Sequence, residues 1–167
     1  MADAGRFRQA VIDLVNEVAP SSQSYFYALS THPFPGFPTS SQTTAQWSGS
    51  AASQFVIPDY ARVDELNDAR VRERVIRAAT LQRRIVVEDF ERRPPSIVFV
   101  ERAGVRLGLQ GRQFNDLGFY LQDPSLQKIW SDYYEDQPLG PLRVFIWEPA
   151  IAVPRAAVSG SHAPHRP

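Results

Sequence analysis

Few residues in this chain have the chemistry to act on another molecule. His32 can take up and release a proton near neutral pH, and Glu101 can serve as its partner in an acid/base pair. Arg102, next in sequence, can hold an anion through its guanidinium fork. Phe34, Phe37 and Trp47 offer ring faces of the kind that stack on the apolar C–H face of a pyranose. Gln46, beside Trp47, adds an amide that both donates and accepts. These seven residues form the candidate ligand-binding set. The plainer reading is that His32 merely precedes a proline, that Glu101 and Arg102 are a solvated strand end, and that the rings pack a loop onto its own domain. That reading is favoured, because nothing nearby supplies a nucleophile or a metal set. No serine stands in Gly-x-Ser-x-Gly, and His-Glu-x-x-His is absent, so no catalytic residue is assigned.

The set depends on three elements for its position. An apolar run at 25–29 reads as a buried strand and delivers Ser30, Thr31 and His32. A stretch from 30 to 47 follows, rich in rings and small polar residues. Pro33, Pro35 and Pro38 fix their own φ and press His32, Phe34 and Phe37 towards extended geometry, so the loop is stiff without regular structure. Residues 46–48 can form a short strand inside it. A second apolar run at 97–100 reads as a strand buried on both faces and delivers Glu101 and Arg102. Between the runs lies a helix predicted over about 63–90, with core candidates Leu66, Val75, Ala79, Val86 and Phe90. Asp59 or Asp64 is its expected cap, and its length suggests a break near Thr80. Strand, helix and strand make a βαβ unit, so the two strands should be parallel neighbours. The aromatic loop should then hang over their carboxyl ends, where open α/β sheets bind ligands.

The rest of the chain frames this unit. Residues 6–18 space Phe7, Val11, Leu14, Val15 and Val18 as an amphipathic helix, stopped by Pro20. The apolar segment 55–58 closes the aromatic loop. Glu73/Arg77, Arg84/Glu88 and Glu88/Arg92 are spaced to pair along the outer face of the long helix, which reads as solvated. Gly104, Gly108 and Gly111 read as a mobile connection, since their spacing is not that of a phosphate loop. Residues 115–121 give one or two helical turns. Asp123-Pro124 starts another helix, with Leu126, Ile129, Trp130 and Tyr133 on its apolar side. Gly140-Pro141 turns the chain into a last strand at 142–147. From 150 to 167 a polar, proline-rich tail is expected to be disordered, and His162 and His165 read as tail histidines. The expected fold is α/β: a small, mostly parallel sheet flanked by helices, as a single compact domain at 1–149.

Composition narrows the function classes. The chain has 167 residues with 18 basic and 18 acidic groups, so no net field draws it to nucleic acid. Cysteine is absent, which excludes disulfides and thiolate chemistry. No residue cluster implies a cofactor or a metal. No run approaches a membrane span, and the first residues lack the layout of a signal peptide. The chain reads equally well as a soluble piece of a longer protein.

Several motifs in order resemble one family. Leu29-Ser30-Thr31 precedes Pro33-Phe34-Pro35 and Phe37-Pro38. Trp47 and Phe55-Val56-Ile57-Pro58 follow. Glu88-Asp89-Phe90-Glu91-Arg92-Arg93-Pro94-Pro95 leads into Ile97-Val98-Phe99-Val100, and Asp123-Pro124 leads to Ile129-Trp130 and Tyr133. This order resembles the C-terminal extracytoplasmic domain of bacterial multi-spanning glycosyltransferases of the C-type fold, the dolichyl-phosphate-mannose-transferase-like proteins. Ser96 departs from the acid usual after the proline pair. The family's catalytic acid lies in a loop between early membrane spans, and no residue here can inherit it. The resemblance implies a non-catalytic accessory domain at the extracytoplasmic face of the bacterial inner membrane. Its implied partners are a sugar or polyprenyl-linked sugar and the membrane-spanning part of the same protein. The alternatives are a stand-alone small enzyme acting on a phosphorylated or sugar-like ligand at the strand edge, and a protein-interaction module.

Overall fold

The computed structural model describes residues 2–102, 109 and 111–151. Helix α1 (Ala2–Val18) runs into strand β1 (Tyr25–Leu29). The aromatic loop carries a 3-10 turn at Thr39–Ser41 and ends in a two-residue strand, β2 (Gln46–Trp47). One helical turn, α2 (Ile57–Tyr60), and a 3-10 turn at Val63–Glu65 precede the long helix α3 (Ala69–Arg92). Strand β3 (Ile97–Glu101), helices α4 (Asp116–Tyr120) and α5 (Pro124–Trp130), strands β4 (Tyr133–Leu139) and β5 (Leu142–Trp147), and α6 (Glu148–Ile151) complete the order.

The five strands form one sheet in the order β2-β1-β3-β5-β4. As the βαβ reading requires, β1 and β3 are parallel neighbours, with Phe26 opposite Ile97 through Leu29 opposite Val100. β2 pairs in parallel with β1 on the other side. The expectation of a mostly parallel sheet does not hold. β5 runs antiparallel to β3, and β4 antiparallel to β5, each through five residue pairs, against four and two pairs in the parallel ladders. The sheet is mixed and mostly antiparallel. The cause is β4, which the residue pattern hides. Its sequence, Tyr-Tyr-Glu-Asp-Gln-Pro-Leu, buries only Tyr133 and carries charge and Pro138, as suits an edge strand. Tyr133, expected on the helix before it, opens β4 instead. Gly140, at φ +55°, makes the tight turn into β5.

Two apolar layers cover the sheet. On one face Val11, Val15 and Ala19 meet Phe26, Ala28, Ile97, Phe99 and Val144. On the other, Ala79, Val86 and Phe90 of α3, with Leu117, Tyr120 and Leu126, meet Tyr27, Leu29, Val98 and Phe145. α3 starts later than expected. Asp68, rather than Asp59 or Asp64, caps it by accepting from the N–H groups of Arg70 and Val71, and Leu66 is extended before it. The helix runs unbroken through Thr80 for 24 residues. The Glu73–Arg77 and Arg84–Glu88 pairs form at 3.5 and 3.6 Å, both exposed and so of little weight in stability. Arg92 turns to Asp89 rather than Glu88. Of the segment 55–58, Phe55 and Val56 form a turn, and Ile57 and Pro58 begin the helical turn α2. Of the glycine-rich connection, Gly104 and Gly108 lie outside the described residues, as does the expected tail after Ile151 with His162 and His165. Among the described residues no helix is long and apolar enough to cross a membrane.

One buried carboxylate ties the loop segment to the long helix. Asp89 has no exposed surface. It accepts from the Ser50 N–H at 2.8 Å, from the Ser50 hydroxyl at 2.5 Å and from Arg92 at 3.2 Å. It thereby fixes the segment after β2 onto α3. Asp89→Ala should destabilise the fold by about 2–3 kcal/mol, the scale of buried hydrogen bonds to a charged group. Ser50→Ala should cost about half as much. Urea midpoints for the two variants check this, and an unchanged midpoint for Asp89→Ala would show that the tie is inconsequential.

Candidate functional site

The carboxyl ends of β1 and β3 lie side by side, and Glu101 reaches from one to the other. Its Oε2 accepts from the Thr31 N–H at 3.0 Å and from the Thr31 hydroxyl at 3.2 Å. His32 is exposed. Its N–H donates to Ser30 Oγ at 3.0 Å, and its Nδ1 accepts from the Phe34 N–H at 3.2 Å. No hydrogen bond or ion pair joins His32 to Glu101 among the described residues. The two groups with proton chemistry are both held by the start of the loop. Ser30 Oγ donates to the Phe34 carbonyl at 3.1 Å and closes the same turn. The Arg102 backbone N–H donates to the Pro141 carbonyl at 2.9 Å, and its side chain is exposed at the strand end.

The loop does not stay at that end. β2 runs parallel to β1 with Gln46 opposite Tyr25, so the chain must return from the last residue of β1 to its first. That is roughly 13 Å at the rise of an extended strand. The loop therefore covers the outer flank of the sheet, on the side of α1. Phe34 packs on Phe7 of α1 with ring centroids 5.5 Å apart. The peptide bonds Phe34–Pro35 and Phe37–Pro38 are cis. Gln46 donates to the Ser22 carbonyl at 2.6 Å, at the opposite end of β1 from His32. The seven candidates thus fall into two groups: His32, Phe34, Glu101 and Arg102 near the carboxyl edge, and Phe37, Gln46 and Trp47 along the flank.

Trp47 is the centre of the second group. It stacks on Tyr27 at 5.1 Å and 14°, meets Phe26 edge-on at 5.4 Å, and carries Phe37 at 5.7 Å and 59°. Its Nε1–H donates to the Ala51 carbonyl at 3.3 Å. Two glycines let the backbone close around it. A Cβ on Gly36 would stand 2.9 Å from Cζ3 of the indole, and one on Gly49 would stand 2.8 Å from Nε1. Trp47 is half-buried, and Phe37 remains 41% exposed on top of it.

The crevice expected at the carboxyl ends is filled on the α3 side as well. The Gln54 N–H donates to the Ser30 carbonyl at 2.8 Å, which lays the 48–57 segment against the end of β1. The Gln54 side chain is buried and joins a polar cluster. Tyr120 OH donates to its Oε1 at 2.7 Å, Gln82 Nε2 donates to the same oxygen, and Gln54 Nε2 donates to Tyr27 OH at 3.5 Å. Gln82 Oε1 in turn accepts from the Val56 N–H at 3.3 Å. Burial pushes the phenols of Tyr27 and Tyr120 well above their ordinary value, and the charge of Asp89 adds to the effect on Tyr27. Burial does the same to Tyr133, whose OH donates to the Pro95 carbonyl at 2.6 Å.

This cluster and Asp89 were missed from the residue pattern, although a signal was present. Gln82 and Asp89 occupy core-facing positions of α3 between Ala79, Val86 and Phe90, where the helical period calls for apolar residues. Among the described residues no group of three or more His, Asp and Glu side chains is placed to hold a metal ion. Comparison with protein families, with curated proteins and with solved structures finds no match.

Two outcomes follow from this packing. Gly36→Ala should destabilise by about 1–3 kcal/mol, the usual cost of overpacking, and should shift the tryptophan emission as Trp47 is displaced. Stability should also fall at alkaline pH. Below pH 10, the ordinary phenol value, the buried tyrosines are neutral both folded and unfolded, and their contribution is fully present. Above it the unfolded chain ionises first, so stability is lost as pH rises. Absorbance at 295 nm should show Tyr27, Tyr120 and Tyr133 titrating only as the protein unfolds, and early titration of all six tyrosines would contradict the burial.

Proposed function

We propose that this chain is a non-catalytic recognition domain that holds a sugar against the Phe37–Trp47 ring pair. In the form suggested by the motif order, it serves as an accessory domain of a bacterial membrane glycosyltransferase and positions a sugar or lipid-linked substrate. The supporting observation is the fixed, half-open ring pair on the sheet flank. Trp47 is held from below by Tyr27 and Phe26, and Phe37 leans on it with 41% of its surface exposed. An apolar ring face held still costs little ordering entropy when a pyranose stacks on it. The groups able to move protons at the carboxyl edge are engaged in folding the loop. A stand-alone enzyme built on His32 and Glu101 would use a carboxylate that already accepts from Thr31 through Oε2. The interaction-module reading draws on a different feature, Phe55, which is 63% exposed just before α2.

Titration with hexoses, N-acetylhexosamines and a short-chain polyprenyl-phosphate sugar, followed by tryptophan fluorescence, tests the proposal. Saturable binding is expected, with at least a tenfold loss in Phe37→Ala and only a small fall in melting temperature, since Phe37 is 41% exposed and its main ring contact is Trp47. Absence of saturation with every sugar, or equal binding by Phe37→Ala, would remove it.

A further inference from the structure

A pocket of about 270 Å³ opens between α2, the Val63–Glu65 turn and the first turns of α3. It shares no residue with the ring pair or the carboxyl edge. Its apolar part is Leu66, Val71 and Val75, and its charged part is Asp59, Arg62 and Glu65. The late start of α3 creates it. Leu66 is extended and the helix begins only at Ala69, and these three aliphatic side chains are only partly covered.

The charges around it are unevenly committed. Glu65 accepts from Arg62 Nε at 3.2 Å and, through its other oxygen, pairs with Arg112. Two guanidinium groups on one carboxylate leave this side of the pocket with a net positive charge. Arg62 spends only its Nε there, so its terminal nitrogens make no hydrogen bond or ion pair among the described residues. Asp59 also lines the pocket, one turn earlier, and its carbonyl accepts from the Arg62 N–H at 3.1 Å. Its carboxylate likewise makes no hydrogen bond or ion pair among the described residues. The two do not pair with each other. The pocket thus offers a cation and an anion, separately placed, beside an aliphatic wall.

The geometry points to a binding site for a small zwitterion with an apolar body, of the class of a free aliphatic or aromatic α-amino acid. The ligand's carboxylate meets the terminal nitrogens of Arg62, its ammonium meets Asp59, and its side chain lies on Leu66, Val71 and Val75. The size is suited to such a ligand, being just under the roughly 300 Å³ at which drug-sized pockets begin. A pure anion would face Asp59, and a pure cation would face the Arg62–Glu65–Arg112 group, so each would meet one repulsive charge.

Calorimetric titration of the purified chain with L-leucine and L-phenylalanine tests this. The controls are 3-methylbutylamine, which lacks the carboxylate, 4-methylpentanoate, which lacks the ammonium, and glycine, which lacks the side chain. Saturable binding in the millimolar range is expected for the two amino acids, with each control at least tenfold weaker. Asp59→Asn and Arg62→Gln should each weaken leucine binding at least tenfold. Glu65→Gln breaks the same ion pair as Arg62→Gln but should weaken binding much less, which separates contact from folding. The inference is overturned if neither amino acid saturates, if the amine or the acid binds as well as leucine, if Asp59→Asn binds normally, or if Glu65→Gln loses as much as Arg62→Gln.

Discussion

β1 and β3 lie side by side with apolar side chains on both faces, and each face must be kept from water. That requirement places the rest of the molecule. A strand buried on both faces needs a layer on each side and a partner at each edge. α1 supplies one layer, and α3 with α4 and α5 supplies the other. β5 closes the edge of β3, and β4 closes β5 with a polar, proline-bearing strand that ends the sheet. On the opposite side only two residues of β2 pair with β1. The aromatic loop covers what that short strand leaves open. Its rings therefore have a packing duty before any other. Phe34 fills the corner with α1, and Trp47 closes the flank of β1 against Phe26 and Tyr27.

The same requirement explains the buried polar groups. Laying the 48–57 segment against β1 and α3 buries backbone that has no helix or ladder to satisfy it. Asp89, Gln82 and Gln54 provide the missing partners, at Ser50, at Val56 and among the phenols. A half-satisfied network would be worse than an apolar core, which is why the cluster is joined through Gln54 to both Tyr27 and Tyr120. The loop after β1 is held at Glu101, at Asp89 and through the indole. Within the loop the large ring left most open to solvent is Phe37. The second open feature, the pocket beside Asp59 and Arg62, lies elsewhere, at the extended connection into α3.

Much of the architecture was legible from side-chain periodicity and breakers. The runs at 25–29 and 97–100 are short, apolar and bounded by turn residues, so they read as buried strands, the second buried on both faces. The helix between them implied that they are parallel, and they are. Asp123-Pro124 announced α5 through an N-cap that forms as expected, with the Asp123 side chain accepting from the Ser125 N–H. Strand β4 was not legible. An edge strand hides one residue and shows the rest to water, so its pattern carries almost no periodic signal. The sheet's balance turned on that strand.

The sequence by itself determined strands β1, β3 and β5 and the long helix, because these follow from local sterics and from which side chains avoid water. Only the tertiary structure decided where the loop goes and what its residues are used for. Gln46 pairs opposite Tyr25, so the loop runs back along the flank and separates Trp47 from His32. Glu101 accepts from Thr31 through Oε2. Neither fact is local: each depends on pairing between residues 21 and 70 positions apart, whose register is set by how the whole sheet closes.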